Sequence, residues 1–413
     1  MDQKYRMTIS RLTVDKLGVK LYDRVAAVIA EVVANCYDAD ATQVIIRAPM
    51  GEWLARKEHG KTLDRNYSLE VIDNGSGMTS EEINEFYLVV GKERRNDPKR
   101  GDRSRKHGRR VMGRKGVGKL APFGVCHTIE VVSSSGEPTE GVDFEGRKGS
   151  GYKTSHLVLD REKILTDTDT VYFPEIGSLD GRIASSIGTT IRMRGFDYRR
   201  VPVIEDFERQ VAQRFGLPTD NWSIKLVDSQ KEGPEAERVV GAFELAIKAD
   251  TKIVFRPRPE SPQDSSCADD FQVDGPDGTP LTGIEAGFTH EGQFYPIKGW
   301  AAYANKPYKD DLMAGIRVYC RGKIAAQTAL FNLRAGFTGE HDIRSYLIGE
   351  LQANWLDERD DLIRTDRQDI LWSHELGQAF EAWGQSLVKA IGRLTREPLR
   401  RDAWAYFQEV SGI

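Results

Sequence analysis

A carboxylate and a carboxamide stand four residues apart near the start of the chain, at Glu31 and Asn35. On a helix, residues four apart lie one turn apart on the same face. A carboxamide oxygen can ligate a hard cation such as Mg²⁺, and a neighbouring carboxylate can orient or deprotonate a water molecule. The pair could therefore serve one metal-dependent reaction, although a polar stripe on a surface helix is the simpler interpretation.

The segment that carries this pair has the apolar periodicity of a helix. Its apolar residues recur at helical spacing, at Val25, Val28, Ile29, Val32 and Val33. This pattern predicts a helix in the stretch 25–40, with Glu31 and Asn35 on one of its faces.

A second segment joins a short strand to a glycine-containing turn. Leu69 to Asp73 is rich in β-branched residues and runs into Asn-Gly-Ser-Gly. Asp73 at the strand end could accept a hydrogen bond from an amine such as adenine N6, and Gly75 and Gly77 would let the backbone approach a flat base. By itself this segment is weak evidence, because an ordinary Asp-Asn-Gly turn has the same residues.

A third segment contains Gly113, Gly116 and Gly118, followed by Lys119 and an apolar run. Such a loop before a helix exposes backbone amides that can bind an anion. It is not a P-loop, because Leu120 follows the lysine, and the glycine order does not fit a dinucleotide fingerprint. A flexible surface loop is the alternative for this segment alone.

Taken together and in this order, the three segments resemble the GHKL ATPase superfamily, which includes gyrase B, the ninety-kilodalton heat-shock chaperones, histidine kinases and MutL. The resemblance rests on E31-V-V-A-N35-C-Y-D38-A, D73-N-G-S-G77-M and G113-R-K-G-V-G118-K119, with Gly188-Thr189-Thr190 as a weaker fourth match. These motifs run from about residue 20 to residue 195. The resemblance implies an α+β protein: a Bergerat-type ATP-binding α/β sandwich, then a transducer-like α+β domain with a helical C-terminal tail.

The resemblance also implies a role for each matching residue. Glu31 would be the general base for water, Asn35 the Mg²⁺ ligand, and Asp73 the partner of the adenine amine, with Thr189 hydrogen-bonded nearby. Residues 113–119 would wrap the phosphates. The implied nucleotide-binding set is Asn35, Asp38, Asp73, Gly75, Gly77, Met78, Gly113, Lys115, Gly116, Val117, Gly118, Lys119 and Thr189.

The histidine-kinase branch is disfavoured. A kinase that phosphorylates a protein histidine has no need of a water-activating carboxylate at the position of Glu31. Only about twenty residues precede the first motif, and no histidine-centred dimerisation helix is visible among them.

The segment from Gly91 to Lys119 is strongly basic. In the resembling family it is the ATP lid, which orders over the triphosphate and can act as a switch. A contact with nucleic-acid phosphates and a solvated loop are the other two interpretations. Its cations are Lys92, Arg94, Arg95, Lys99, Arg100, Arg103, Arg105, Lys106, Arg109, Arg110, Arg114, Lys115 and Lys119, against Glu93, Asp97 and Asp102.

Composition bounds the remaining expectations. The 413 residues, 46.4 kDa, suffice for two domains, predicted at 1–200 and 201–413. A net charge of −4 argues against a protein coated with nucleic acid throughout. The four cysteines are far apart and read as reduced thiols. The N-terminus lacks an apolar signal core and no long apolar run occurs, so we expect a cytoplasmic protein without a membrane contact.

The second half of the sequence reads as strands followed by helices. Helices are predicted at 205–215 and 373–394, strands at 222–227, 295–303 and 315–320, and a loop from residue 256. In the GHKL hydrolases that the sequence resembles, the transducer domain supplies a Lys or Arg to the γ-phosphate. The candidates here are Lys323, Arg364 and Arg367, and a surface ion-pair cluster is the alternative for each.

The resemblance implies that ATP drives a conformational cycle. We expect Mg²⁺-dependent ATP hydrolysis by an ATP-dependent homodimer, a clamp of the MORC or MutL type that acts on double-stranded DNA or a DNA-bound protein. Such a clamp would serve repair, genome organisation or defence against foreign DNA. The alternatives are a chaperone-like ATPase that remodels a protein client and an ATP-binding regulatory subunit of a larger complex.

Overall fold

The computed structural model describes residues 24–411 except 167–170, 217–220, 263–264, 309–312, 335–343, 365–366 and 368, with side chains to residue 394. The chain divides into two compact units between Ala242 and Phe243. The sequence predicts this division at residue 200 instead. The difference arises because two strands after residue 200 complete the sheet of the first unit.

The first unit has four α-helices, α1 Val25–Asp38, α2 Ser80–Glu82, α3 Arg161–Ile164 and α4 Ile204–Ala212, among its described residues. A π-helix at Ile83–Tyr87 and 3₁₀ helices at Gly118–Gly124 and Pro234–Ala236 accompany them. Its strands are β1 Gln43–Ala48, β2 Ala55–Glu58, β3 Lys61–Asp64, β4 Leu69–Asp73, β5 Cys126–Val142, β6 Lys148–Asp160, β7 Glu175–Ile176, β8 Ile183–Ala184, β9 Gly188–Phe196, β10 Ser223–Asp228 and β11 Glu237–Val239.

Nine of these strands form one mixed sheet in the order β11-β10-β1-β4-β9-β5-β6-β7, with β8 paired to β6. The β1–β10 pair is parallel and the others are antiparallel. Burial alternates along β4 and β10, as expected for strands with one covered face. The helix α1 buries nearly all of its residues and packs against β4, α4 and the 118–124 helix. The predicted fold, a mixed sheet with helices over one face, is confirmed.

The second unit has a six-stranded sheet in the order β13-β12-β16-β19-β17-β18 and a β14–β15 hairpin. Its strands are β12 Ile253–Pro257, β13 Phe271–Asp274, β14 Gly287–His290, β15 Gln293–Pro296, β16 Lys298–Tyr303, β17 Gly315–Cys320, β18 Lys323–Thr328 and β19 Leu347–Gln352. Helix α5 spans Glu375–Ser411, and 3₁₀ helices lie at Ala249–Thr251, Ala268–Asp270 and Asn354–Asp357.

The apolar face predicted on the C-terminal helix forms part of the core of this unit. Leu376, Phe380, Trp383, Leu387 and Ile391 are all buried there, and Phe380 stacks with Trp383 at a centroid distance of 5.8 Å. The loop predicted from residue 256 begins later than expected, because its first two residues complete β12 and pair with β13.

Candidate nucleotide-binding site

The first and third sequence motifs meet at Glu31. Its helix α1 is otherwise buried along most of its length, so the partly exposed Glu31 and exposed Asn35 form its polar face. A methyl group added at Gly118 would lie 2.7 Å from Glu31 Oε2. Any side chain at this position would push the Glu31 carboxylate aside, so glycine preserves the close contact between the loop and this carboxylate.

The end of α1 holds the start of the glycine-containing loop through Asp38. The backbone amides of Met112 and Gly113 donate to the two carboxylate oxygens of Asp38 at 2.8 and 2.9 Å. Arg94 lies 3.8 Å from the same carboxylate and donates to the Asp38 carbonyl at 3.2 Å. Asp38 therefore attaches the loop to the helix, and its place near the nucleotide stays a prediction.

Asp73 lies at the end of β4 with a nearly buried carboxyl group. The Gly75 amide donates to Asp73 Oδ1 at 2.7 Å. The residue that pairs with Asp73 on the neighbouring strand β9 is Thr189. Burial raises the pKa of Asp73 to about 6, even though hydrogen bonds from Gly75, Cys36 and Thr189 oppose the shift. The carboxylate is thus the majority form at neutral pH and can accept a hydrogen bond from an amine.

The turn after Asp73 is fixed against the neighbouring strand β5. Gly77 has a φ of +63°, and a side chain there would collide with the Ser134 carbonyl. The Met78 amide donates to Ser133 Oγ at 2.9 Å, and Ser133 Oγ lies 2.8 Å from Thr189 Oγ1. The second motif and the Gly-Thr strand therefore form one hydrogen-bonded group.

The basic segment 91–119 is folded against its own unit. The amides of Lys106 and His107 donate to the Asp40 carboxylate at 2.7 and 3.0 Å. Arg109 donates to the Ala41 carbonyl at 2.5 Å and lies over the Tyr37 ring. The segment is therefore not a solvated loop, which was one of its three interpretations. The other two, an ATP lid and a contact with nucleic acid, remain predictions, and the segment is called the lid below.

Several lid cations are already paired with acidic side chains. Lys92 binds Asp97, Lys99 binds Glu85, Arg105 binds Glu82 and Arg114 binds Glu93, all at 2.7 to 2.8 Å. The charge available to an outside polyanion is consequently smaller than the sequence count implies.

Lys119 is an exception because its partners are neutral. Its ammonium group donates to the carbonyls of Phe86 and Val89 at 2.6 and 2.5 Å. Burial, together with the nearby charges of Arg100 and Lys92, lowers the pKa of Lys119 to about 8. Burial and the charge of Arg94 similarly lower the pKa of Arg100 to about 10. Two partly buried cations with lowered pKa values, Lys119 and Arg100, favour an anionic ligand.

The remaining loop residues, Lys115, Gly116 and Val117, are partly buried between Gly113 and Gly118. The Gly91 amide donates to the Gly116 carbonyl at 3.2 Å, so the two ends of the lid lie side by side. This closure places both lid ends next to the α1 face that carries Glu31.

The candidate cations of the second unit lie in different environments. Lys323 begins β18 and is buried, Arg364 is exposed, and Arg367 donates to the Ile324 carbonyl at 3.4 Å. Arg367, in the turn between Ile363 and Ile370, therefore reaches the backbone next to Lys323. Their approach to a γ-phosphate stays a prediction.

Sequence reasoning missed two residues that organise the site. Asp40 holds the lid and Ser133 links Met78 to Thr189. Asp40 directly follows the first motif, so its position offered a signal, whereas Ser133 lies in a long strand without any local pattern.

The fold and the convergence of the four motifs define a Bergerat-type ATP-binding domain. Residues 22–142 match the family model described as "Histidine kinase-, DNA gyrase B-, and HSP90-like ATPase". The chain thus carries a GHKL-type ATPase domain, and the resemblance predicted from the motifs is confirmed.

Two relatives show how far the similarity extends. The chain is 25% identical over 390 residues to "Putative type II restriction enzyme HgiDII" of Herpetosiphon aurantiacus, a match that covers 89% of this chain and 52% of that protein. It is 32% identical over 108 residues to "Chaperone protein HtpG" of Oceanobacillus iheyensis, covering 26% of this chain and 17% of that protein. The chain therefore spans about half the length of the first relative.

Among the described residues, no helix combines the length and apolar character that crossing a membrane requires.

Proposed function

We propose that this protein binds and hydrolyses ATP with Mg²⁺ and uses the cycle as a dimeric switch on DNA or a DNA-bound partner. The observation that carries the proposal is the convergence of four separate motifs on helix α1 and the end of β4. Glu31 lies against Gly118, Asp38 holds Gly113, and Asp73 pairs with Thr189.

The residues present fit an ATP–Mg²⁺ complex. The nearly buried Asp73 offers a carboxylate suited to an exocyclic amine, beside a turn that Gly77 lets pack closely against β5. Asn35 is exposed one helical turn from Glu31, and its amide oxygen is a ligand type that Mg²⁺ accepts. When bound, Mg²⁺ would neutralise charge on the phosphate oxygens.

Glu31 is the proposed general base. Its carboxylate would hold a water molecule and accept a proton as that water attacks the γ-phosphate, which yields ADP and phosphate. The nearby amides of the 113–118 loop and the Lys119 ammonium would bind the triphosphate oxygens.

The same contacts offer a switch. The lid is fastened to α1 through Asp38 and Asp40, so a nucleotide that repositions either end of the lid changes the surface around the helix. ATP can shift this equilibrium only by its differential affinity for the two lid positions. A second copy that recognises one position would make dimerisation ATP-dependent.

DNA is favoured over a protein client by the extent of the two matches. The relative named as a restriction enzyme matches 89% of this chain, whereas the chaperone HtpG matches 26%. A match that spans both compact units supports a related whole-chain task more strongly than one confined to part of the chain.

The test compares wild type with Glu31→Gln, which preserves side-chain volume against Gly118. We expect ATP to stay bound while turnover falls about a hundredfold or more, the range for a lost general base. Asn35→Ala should remove the Mg²⁺ dependence of ATP binding. Glu58→Gln, on the exposed β2–β3 hairpin, is the matched control. Normal turnover in Glu31→Gln would refute the assignment of the base.

The proposed action on DNA and the proposed ATP-dependent dimer are tested by separate measurements. ATPase rate and molecular mass are measured with and without double-stranded DNA over a range of salt concentrations. Stimulation that fades with salt and a dimer trapped by ATP in Glu31→Gln would support the switch on DNA. A rate indifferent to DNA would favour a protein client.

A further inference from the structure

A second surface of the first unit combines exposed aromatic rings with cations. Trp53 and Tyr198 stack at a centroid distance of 4.2 Å and an interplanar angle of 12°. Although stacked, they remain 40% and 36% exposed. Large aromatic side chains are more often buried, so an exposed stacked pair is unusual.

The pair has a firm support. The backbone of Trp53 pairs with Arg200, and the Leu54 amide donates to the Arg199 carbonyl at 2.8 Å. Leu54 is fully buried directly beneath this surface segment. The rings are therefore held in place by backbone pairing and by the core.

Cations surround the rings. Lys57 lies 5.8 Å from the centre of the Tyr198 ring. Arg65 donates to the Trp53 carbonyl at 3.0 Å, but its charge is paired with Glu52. Arg199 and Arg200 donate to backbone carbonyls, at Tyr198 and Gly51. Among the described residues, Lys57, Arg199 and Arg200 have no carboxylate partner in an ion pair. Their charge is free for a polyanion, unlike much of the charge of the lid.

We propose that this surface, formed by Trp53, Tyr198, Lys57, Arg199 and Arg200, binds an unpaired strand of DNA. Base rings stack on exposed aromatic side chains without regard to sequence, and flanking cations bind the phosphates. The bases of an intact duplex are already stacked on each other, so the exposed ring pair favours a single strand. This inference rests on the proposed action on DNA and moves the main contact away from the basic lid.

The test measures binding of a fluorescein-labelled oligo(dT) of about 16 nucleotides to the full chain by anisotropy. Trp53→Ala with Tyr198→Ala should weaken binding about tenfold or more. Trp53→Phe with Tyr198→Phe keeps the rings and should retain most of the affinity. Lys57→Glu with Arg200→Glu should weaken binding at low salt and reduce the salt dependence.

The control changes an exposed aromatic residue and an exposed cation elsewhere on the first unit. Phe144 is 45% exposed and Lys148 is exposed, both at the β5–β6 hairpin. Phe144→Ala with Lys148→Glu should leave oligo(dT) binding unchanged. Equal affinities of the control and the Trp53/Tyr198 double variant would overturn the proposal, as would a wild type that fails to bind oligo(dT).

A duplex of the same length separates base stacking from phosphate attraction. If the loss of both rings weakens duplex binding as much as oligo(dT) binding, the surface does not recognise unpaired bases and the proposal fails. ATPase activity without DNA is measured on the same variants and should be unchanged. A wild type that hydrolyses ATP but ignores all DNA would refute this surface while leaving the ATPase proposal intact.

Discussion

At the scale of single residues, the site depends on two groups whose pKa values are moved toward neutrality from opposite sides. Burial raises the pKa of Asp73 to about 6, and burial with neighbouring cations lowers that of Lys119 to about 8. Each shift disfavours the charged form that a nucleotide would need. Nucleotide binding should therefore be strongest between these two values.

On the acidic side, affinity for adenosine should fall as the pH drops from 7 to 5, with a midpoint near pH 6. Protonation of Asp73 removes the carboxylate that accepts the amine, so the ligand binds the deprotonated form and releases a proton. Adenosine is the chosen ligand because phosphate groups titrate near pH 6 themselves. Calorimetry should find weak, pH-independent binding in Asp73→Asn. The same slope in that variant would refute the role of Asp73.

On the alkaline side, ATP affinity should fall as the pH rises through about 8. Lys119 loses its proton there, and a neutral amine attracts phosphate poorly. Lys119→Met should bind ATP more weakly at pH 7 and show no further loss up to pH 9. Lys148→Met, on the exposed β5–β6 hairpin outside the nucleotide-binding set, is the control. A wild-type affinity that stays flat across pH 8 would contradict a phosphate contact by Lys119.

At the scale of elements, the lid and helix α1 behave as one structure. Asp40 is buried, with a φ of +65°, and accepts hydrogen bonds from two lid amides. An Asp tolerates this backbone conformation better than most residues, since its short polar side chain bonds locally. The helix end therefore fixes the lid.

Removal of this attachment should loosen the lid. Asp40→Ala leaves two amides without an acceptor and should reduce the free energy of unfolding by about 1–3 kcal/mol. Trypsin should then cut within 99–110 sooner than in wild type. Asp64→Ala, on the exposed β3 strand, should change unfolding by less than about 0.5 kcal/mol. Urea titration and timed proteolysis measure both effects, and equal cleavage rates would contradict the attachment.

At the scale of the whole molecule, the ATPase motifs belong to the first compact unit and the three candidate γ-phosphate cations to the second. A contribution from the second unit would make hydrolysis, but not ATP binding, depend on its residues.

Three single variants test it: Lys323→Met, Arg364→Met and Arg367→Met. Replacement of the residue that reaches the γ-phosphate should lower kcat at least tenfold with little change in ATP affinity. The reason is that the lost interaction acts in the transition state. Thermal melts identify a variant that loses activity only because it unfolds. Lys323→Met carries the largest risk of unfolding, because Lys323 is buried. Unchanged kcat in all three would remove the second unit from the chemistry.

The local elements of this protein can be predicted from short stretches of its sequence. Helix α1, strand β10 and the helical C-terminal segment follow from apolar periodicity, since burial of one face imposes it on neighbouring residues. The four motifs and the family they indicate were also readable, because their glycine, carboxylate and amide residues occur at short fixed spacings.

Tertiary structure decided what depends on distant pairing. The first unit extends to Ala242 because β10 pairs in parallel with β1, a partner far away in sequence. The lid is attached rather than loose because Asp38 and Asp40 meet its amides. Trp53 and Tyr198 stack because the folded chain brings residues 198–200 next to Trp53, which precedes β2. Such contacts join residues that no local pattern relates, so only the folded chain reveals them.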